Sequence, residues 1–387
     1  MQVRLAADAG AFREADAGHS YPGRLMSPQG LWVGIDTGFD QSHLCVIDDE
    51  LNLIADCILT TSAAAVIEVL AANETARIQS IALEATACST ELVRGLREAG
   101  YPAVMYDAGQ VSKYLRIRSN KTDRNDALGL AEVAKFGLPA LSAVHLKSPE
   151  IQRVRAILQL RHKLIEQRVA SENMVRSLLR MHGGRLPHVG SAVAFERNLV
   201  AEVDRLKLEG KIDLEDQLLP LGHVCINQRR AAQALSRALE RWAKQNDQCE
   251  RFREIPGVGV ICAVSFFTAI EDPHRFEKPE TVGAYFGLTP DIRQSGKSLS
   301  RGRISRRGNK LTRTHLRAAA KTVLSSRTKS STLKEWGARL AARIGTGKAQ
   351  IAVARKLAIT MLAMWKDNTK FRQPNLEVFE AIEIPSD

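Results

Sequence analysis

The chain has 387 residues and a formal net charge of +12, a length that predicts two or three domains rather than one compact core. The charge favours a polyanionic partner, and no run of about 18 apolar residues is present, which excludes a membrane-spanning helix. Six scattered cysteines (45, 57, 88, 225, 249, 262) with no Cys-x-x-Cys argue against a zinc site or a disulfide framework and suit a reducing cytoplasm.

Residues 1–30 carry Ala, Gly, Asp and Pro with no period and are expected to form a flexible extension. They lack the basic end and apolar stretch of a secretory signal, and Met26, just ahead of the first strand, is a candidate start. Leu31–Asp36, His43–Asp48 and Leu51–Leu59 read as three strands joined by tight turns. A helix over Ala63–Ala72, a strand over Ser80–Ala85, a helix over Thr90–Ala99 and a strand over Pro102–Asp107 come next, and a helix over Asp123–Phe136 closes the unit at about residue 148. Three consecutive strands and then strand–helix alternation predict a mixed sheet with helices on its faces, the order of a ribonuclease-H-like fold.

Four carboxylates stand out in this region: Asp36, Glu84, Asp123 and Asp126. Asp123 and Asp126 are three apart at the start of a helical pattern and share a face. Acids held side by side repel unless a cation lies between them, and a hard divalent ion such as Mg²⁺ takes oxygen ligands of this kind. The predicted fold would bring all four within a few ångströms. Arg116, Arg118, Lys121 and Arg124 flank the pair and would attract a polyanion that shares the metal. The combination reads as metal-assisted phosphoryl chemistry on nucleic acid.

Residues 149–250 are read as helix throughout. Ile151, Val154, Leu158, Ile165, Val169, Val175 and Leu179 form a loose apolar stripe, and a second helical pattern runs over Asn227–Lys244. Gly183-Gly184 and Pro187 break the first helix, and Gly210 and Pro220 are expected to break the stretch between the two patterns. Long antiparallel helices joined by a loop are expected, either as a packed spacer or as an irregular coiled coil.

Residues 251–370 open with Ile255-Pro-Gly-Val-Gly259, which matches the turn of a helix-hairpin-helix element. Gly257 and Gly259 would let backbone N–H groups approach a phosphate at the next helix's positive end; the bland alternative is an ordinary Pro-Gly turn. From Arg293 to Lys321 there are ten Lys or Arg and no Asp or Glu. The run contains Arg293, Lys297, Arg301, Arg303, Arg306, Arg307, Lys310 and Arg313, interleaved with glycines and serines in an expected loop that enters a helix. Small residues permit backbone approach to phosphates and arginines hold them. Ser295, Ser298, Ser300 and Ser305 are equivalent on composition alone. Residues 371–387 form a tail.

Val33-Gly-Ile-Asp36, Leu83-Glu84-Ala-Thr86, Asn120-Lys-Thr-Asp-Arg-Asn-Asp126, Ile255-Pro-Gly-Val-Gly259, Phe286-Gly-Leu-Thr-Pro290 and Ser295-Gly296 recur in one order over about residues 31–367. This pattern resembles the DEDD transposases of the "one-ten" insertion-sequence family, relatives of the pilin-gene DNA invertase, some of which are bridge-RNA-guided recombinases. The resemblance implies a RuvC-like N-terminal domain, a helical coiled-coil connection and a mainly α C-terminal transposase domain. It places the family's four acids on Asp36, Glu84, Asp123 and Asp126 and its nucleophilic serine on Ser295. It further implies Mg²⁺ (or Mn²⁺), donor and target DNA, a structured non-coding bridge RNA, and a homo-oligomer in which dimers assemble to a tetramer with composite sites. Such an enzyme would be cytoplasmic and nucleoid-associated. One departure is Asp291, directly after Leu-Thr-Pro, where relatives often carry a basic residue.

Two rivals remain. A junction nuclease would use the same acids with water as nucleophile. An actin-like ATPase would use Asp36-Thr-Gly38 as a phosphate turn, but its second such turn, Asp107-Ala-Gly109, comes too early. A non-enzymatic DNA-binding protein would gain nothing from an acid cluster.

Overall fold

The computed structural model describes residues 30–72, 77–117, 120–138, 141–295, 298–325, 328 and 330–372. The expectations for the head (1–29), Arg118, Gly296, Lys297 and the tail beyond 372 lie outside the described residues. Two compact units divide at Leu146/Lys147.

In the first unit β1 (Gly30–Thr37), β2 (Gln41–Ile47) and β3 (Leu53–Thr60) form an antiparallel meander, as three short runs with polar turns dictate. Asp48 fixes the β2–β3 turn by accepting the amides of Glu50 (2.9 Å) and Asn52 (2.8 Å). Then come α1 (Ala63–Ala71), β4 (Arg77–Glu84), α2 (Ser89–Glu98), β5 (Ala103–Tyr106), α3 (Ala108–Leu115) and α4 (Asp123–Phe136). β4 pairs parallel to β1, and β5 parallel to β4, which gives the sheet order β3-β2-β1-β4-β5. Helical crossovers between parallel strands supply the covering layers. Leu31, Val33, Ile35, Leu44, Val46, Ile81 and Leu83 build one core with Val66, Leu70, Leu92, Val93 and Leu96 of α1 and α2.

The other face is covered by α4, and one residue governs how closely. A Cβ on Gly34 would lie 2.0 Å from the carbonyl oxygen of Ala127 and 2.1 Å from the amide nitrogen of Ala131. Backbone therefore packs on backbone, with Ala127, Leu130 and Ala131 fully buried at the contact. Thr122 caps the helix by accepting the amide of Asn125, and Gly137 ends it in the left-handed region at φ 52°. Near its far end Lys135 lies 4.1 Å above the Trp32 ring and donates to the carbonyl of Asp49 at 2.6 Å.

The second unit begins with α5 (Pro149–Met181), 33 residues long, then α6 (Ala192–Leu208) and α7 (Glu215–Lys244). α5 and α7 run antiparallel: Glu172 meets Arg229, Arg161 donates to Ser236, and Glu150 accepts from Trp242. Of the apolar stripe read from the sequence, Ile151, Val154, Leu158, Val175 and Leu179 are buried, whereas Val169 is exposed. At Val169's level the interior is ionic. Buried Glu172 accepts from Arg168, Arg176 and Arg229, and Arg229 also donates to the carbonyls of Val189 and Gly190. Such a network ties the turn after α5 to both long helices, and removing one partner would leave an uncompensated buried charge.

Pro220 does not break the chain as expected; it lies inside α7. Leu218, Gly222, Cys225 and Ile226 continue a buried stripe through it, so packing outweighs the one backbone hydrogen bond that proline removes.

The C-terminal elements are α8 (Asp247–Arg253), α9 (Val260–Ile270), α10 (Val282–Tyr285), β6 (Pro290–Ser295), β7 (Ser298–Ile304), α11 (Lys310–Val323), α12 (Thr332–Ile344) and α13 (Thr346–Lys366). Val154 and Leu158 of α5 and Leu239 and Ala243 of α7 share one core with Phe252, Ile255, Phe266, Phe286, Leu316 and Leu357. The helical stretch and the C-terminal region are thus one packed body. Its basic segment is a β-hairpin, where a loop had been expected.

The Gly34 contact yields a direct prediction. Gly34→Ala drives a methyl into the α4 backbone and should cost about 3 kcal/mol or more in chemical denaturation of the full chain. A cost below about 1 kcal/mol would show that α4 is free to move off the strand.

Candidate functional site

The four sequence-identified acids come from three elements of the first unit. Asp36 lies near the end of β1, Glu84 ends β4, and Asp123 and Asp126 occupy the first turn of α4. Parallel pairing sets Ile35 beside Leu83, so Asp36 and Glu84 emerge together at the carboxyl ends of adjacent strands. The Gly34 contact brings α4 onto the same strand end.

The electrostatics place Asp36 within reach of the charges of the other three acids. Asp36 is pushed up to about 6, first by burial and then by the charges of Asp126, Asp123 and Glu84, with Lys121 opposing. Burial and Asp126 also raise Glu84, and Asp107, just past the end of β5, adds to that rise. Lys121 pulls Glu84 down as it does Asp36. Among the described residues, no three of the four acids bring their oxygens within 4.8 Å of one another; the trio whose ligand atoms do come that close is the His43 ring nitrogen, Cys45 Sγ and an Asp56 carboxylate oxygen. The Thr37 and Thr86 hydroxyls hydrogen-bond at 3.0 Å just beyond Asp36 and Glu84, which joins the two strand ends.

Carboxylate oxygens only, with crowded like charges, form a donor set that suits a hard divalent cation. Such an ion would relieve the repulsion that raises Asp36.

Arg124 does not point toward the acids. Its Nε donates to Asp56 Oδ2 at 2.5 Å, and Asp56 also contacts His43 Nε2 at 2.5 Å. Sequence reasoning missed Asp56, because an acid within a strand carries no motif that announces its partner.

In the second unit the Ile255–Gly259 turn joins α8 to α9. Gly257 has φ 90°, and a Cβ there would meet Val323 Cγ2 at 2.6 Å, so this glycine serves close packing on α11. Gly259 is exposed, precedes α9 and has nothing within 4 Å of a built Cβ, which leaves backbone open to an incoming group.

The basic segment begins with β6 and β7 paired antiparallel: Gln294 faces Leu299, Arg293 faces Ser300, and Ser295 faces Ser298. Ser295 is exposed at the strand's end. The signal for this hairpin was in the sequence: a Gly-Lys pair separates two alternating runs. Arg303, Arg306, Arg307 and Lys310 are exposed, whereas Arg293 and Arg301 are described in backbone only. Arg313 is used internally. Its Nη1 donates to the carbonyls of Phe286 (2.8 Å) and Arg307 (2.9 Å), bracing the strand-to-helix turn. Gly287 and Gly308 are pressed into the same brace, with a Cβ meeting Arg307 O at 2.3 Å and Tyr285 O at 2.0 Å.

Two family profiles match the chain on either side of the long helices. One, described as a transposase of the DEDD IS110 type, covers residues 33–182; the other, described as "Transposase IS116/IS110/IS902 family", covers residues 249–335. The chain belongs to the IS110 family of DEDD insertion-sequence transposases. It is 28% identical over 342 residues to the transposase for insertion sequence element IS1111A of Coxiella burnetii, covering 88% of this chain and 91% of that one. It is 26% identical to the transposase for insertion sequence element IS1328 of Yersinia enterocolitica, over 72% of this chain and 81% of that one. A probable family 20 transposase of Pseudomonas aeruginosa is 25% identical over 76% and 85%, respectively. No described helix of this transposase is long and apolar enough to cross a membrane.

The raised Asp36 carboxyl has a consequence for stability. Its folded value of about 6 lies above its ordinary 3.8, so the folded chain pays for the ionised carboxylate fully above pH 6 and not at all below about pH 4. In metal-free buffer, Asp36→Asn should therefore stabilise the fold above pH 6, by on the order of 1 kcal/mol once solvent screening is discounted. The gain should vanish as pH falls to 4. Thermal unfolding at both ends of this range is the check, and a pH-independent difference would refute the raised carboxyl.

Proposed function

We propose that this transposase cuts and rejoins DNA through a covalent phosphoserine intermediate at Ser295, with Asp36, Glu84, Asp123 and Asp126 holding Mg²⁺ (or Mn²⁺). The observation that carries the reading is the raised carboxyl of Asp36, pushed up first by burial and then by three other acids from β4 and α4. Carboxylates gathered at such a cost call for a cation. The sheet order β3-β2-β1-β4-β5, antiparallel on one side of β1 and parallel on the other, supports a ribonuclease-H-like, RuvC-like domain. In this reading the chain divides by function into the acid domain (31–148), the helical connection (149–250) and the serine-bearing transposase domain (251–370).

Bound Mg²⁺ would supply neutralisation of phosphate charge and activation of the attacking or leaving oxygen. The chain's own groups do the rest. Ser295 Oγ forms a bond to phosphorus as its proton leaves. The phosphorus–oxygen bond to one deoxyribose breaks, and that oxygen takes up a proton. The phosphodiester energy is kept in the serine ester, so rejoining needs no ATP. Exposed Arg303, Arg306, Arg307 and Lys310 grip backbone phosphates, and Gly259 offers open backbone at the start of α9.

Because the acids and Ser295 belong to different compact units, assembly of the reacting site is tied to nucleic acid and to a homo-oligomer, dimers joining as a tetramer. The family resemblance supports a bridge RNA that pairs with donor and target, and the +12 charge suits an RNA partner as well as DNA. Bacterial relatives and six free cysteines support a cytoplasmic, nucleoid-associated protein.

Asp126→Asn should lower strand cleavage on the order of 10²–10³-fold or more with circular dichroism unchanged. Ser295→Ala should keep DNA affinity yet abolish both recombination and the covalent protein–DNA adduct, while Ser300→Ala keeps both. An adduct that survives Ser295→Ala, or maps by mass spectrometry to another serine, sinks the assignment. Cleavage without any adduct in the native chain would favour a water-using junction nuclease.

Replacing Arg303, Arg306 and Arg307 together by Ala should weaken binding across sequences and reduce the slope of log affinity against log salt by up to about 3. An unchanged slope would make this segment a solvated surface.

A further inference from the structure

The first turn of α4 carries two of the four acids, and like charges at Asp36 and Glu84 push it outward. Thr122 and Asn125 fasten this turn to its own loop, through Thr122 Oγ1 to Asn125 N (3.1 Å) and Asn125 Nδ2 to Asn120 O (3.0 Å). Those bonds hold the turn together without holding it to the sheet. The Gly34 contact holds the helix body, centred on Ala127 and Ala131, and Lys135 holds the far end.

At the acid-bearing end the Arg124 side chain reaches the sheet by an ion pair, Nε to Asp56 Oδ2 at 2.5 Å, across to β3. Helical spacing explains why Arg124 can do so. It lies about 100° round the helix from Asp123 and about 160° from Asp126, so it points away from the face the acids share. Asp56 is itself held. Its other oxygen contacts His43 Nε2 at 2.5 Å, and in the sheet register His43 stands opposite Asp36 while Asp56 stands opposite Cys45. Cys45 closes the arrangement beneath, with Sγ 3.7 Å from the carbonyl oxygen of Arg124. The chain His43–Asp56–Arg124 thus runs from the strand beside Asp36 to the residue between Asp123 and Asp126.

We infer that Asp56, oriented by His43, is a positioning residue that clamps Arg124 and so holds the α4 acids against Asp36 and Glu84 for metal binding. The inference rests on the proposed metal role of those acids. It also reassigns Arg124, one of the basic residues expected to attract nucleic acid, to an internal tether.

The test uses the full chain and its Asp56→Asn, Arg124→Ala and double variants, with two readouts. Amide hydrogen exchange without metal reports the clamp itself. Exchange at residues 123–127 should rise in each single variant and no further in the double, while the strands keep native protection. Titration with Mn²⁺ by calorimetry reports the purpose. Affinity should fall about 10- to 100-fold in each single variant, again without further loss in the double. DNA affinity measured without metal should not change.

Unchanged exchange at the start of α4, or losses that simply add, would overturn the clamp. A drop in metal-free DNA affinity for Arg124→Ala and not Asp56→Asn would overturn it too, by making Arg124 a phosphate contact. If exchange responds as expected but the native chain binds no Mn²⁺ that depends on Asp36 and Asp126, the metal reading fails and takes the clamp's purpose with it. That pattern differs from every failure of the clamp alone.

Discussion

The direct contact of α4 with β1 at Gly34 is the constraint on which the first unit depends. With no side chain between them, the helix backbone lies where a Cβ would overlap Ala127 and Ala131. Two residues along the strand stands Asp36, and the first turn of the same helix carries Asp123 and Asp126. A larger residue at 34 would lift the helix and with it half of the acidic cluster. The Val-Gly-Ile-Asp run therefore combines two requirements in four residues: an apolar strand for the core, and a glycine that sets the helix height for its neighbouring acid.

That placement costs electrostatic energy, and the surrounding residues distribute the cost. Burial and three neighbouring acids raise Asp36, while Lys121 and the positive end of α4 act against the repulsion. Thr37 and Thr86 tie the strand ends that bear Asp36 and Glu84. Asp56 and Arg124 take up charge on the opposite side of the helix. In a chain with a +12 balance, so many acids at one sheet edge are an exception that the fold has to enforce.

The second unit solves a different problem. Its long helices carry a buried Glu172 held by three arginines at one end and merge with the C-terminal core at the other. The basic segment stands on that core through the Arg313 brace and the two tightly packed glycines, 287 and 308. Exposed charges of one sign are thereby presented on a fixed base rather than on a free loop. Gly257 contributes in the same way, giving its conformational freedom to helix packing while Gly259 remains open.

The succession of strands and helices in the first unit, the helix that begins at Asp123 and the long helices were legible in the sequence, because each rests on local periodicity, caps or motif spacing. Asp123 and Asp126 share a face for reasons internal to one helix. The Arg293–Lys321 charge run needs no fold to be seen. The hairpin within it had a local signal in Gly-Lys, masked by the density of charge around it. Other features had no local signal. Pro220 continues a helix because Leu218, Gly222 and Cys225 find partners on other helices. The pairing of Arg124 with Asp56 spans 68 residues and exists only once β3 and α4 meet. Residue type and spacing determined which groups this protein has for its chemistry. Tertiary structure decided which of them turn toward one another, because like charges and tight backbone contacts acquire their energy only when distant segments are brought together.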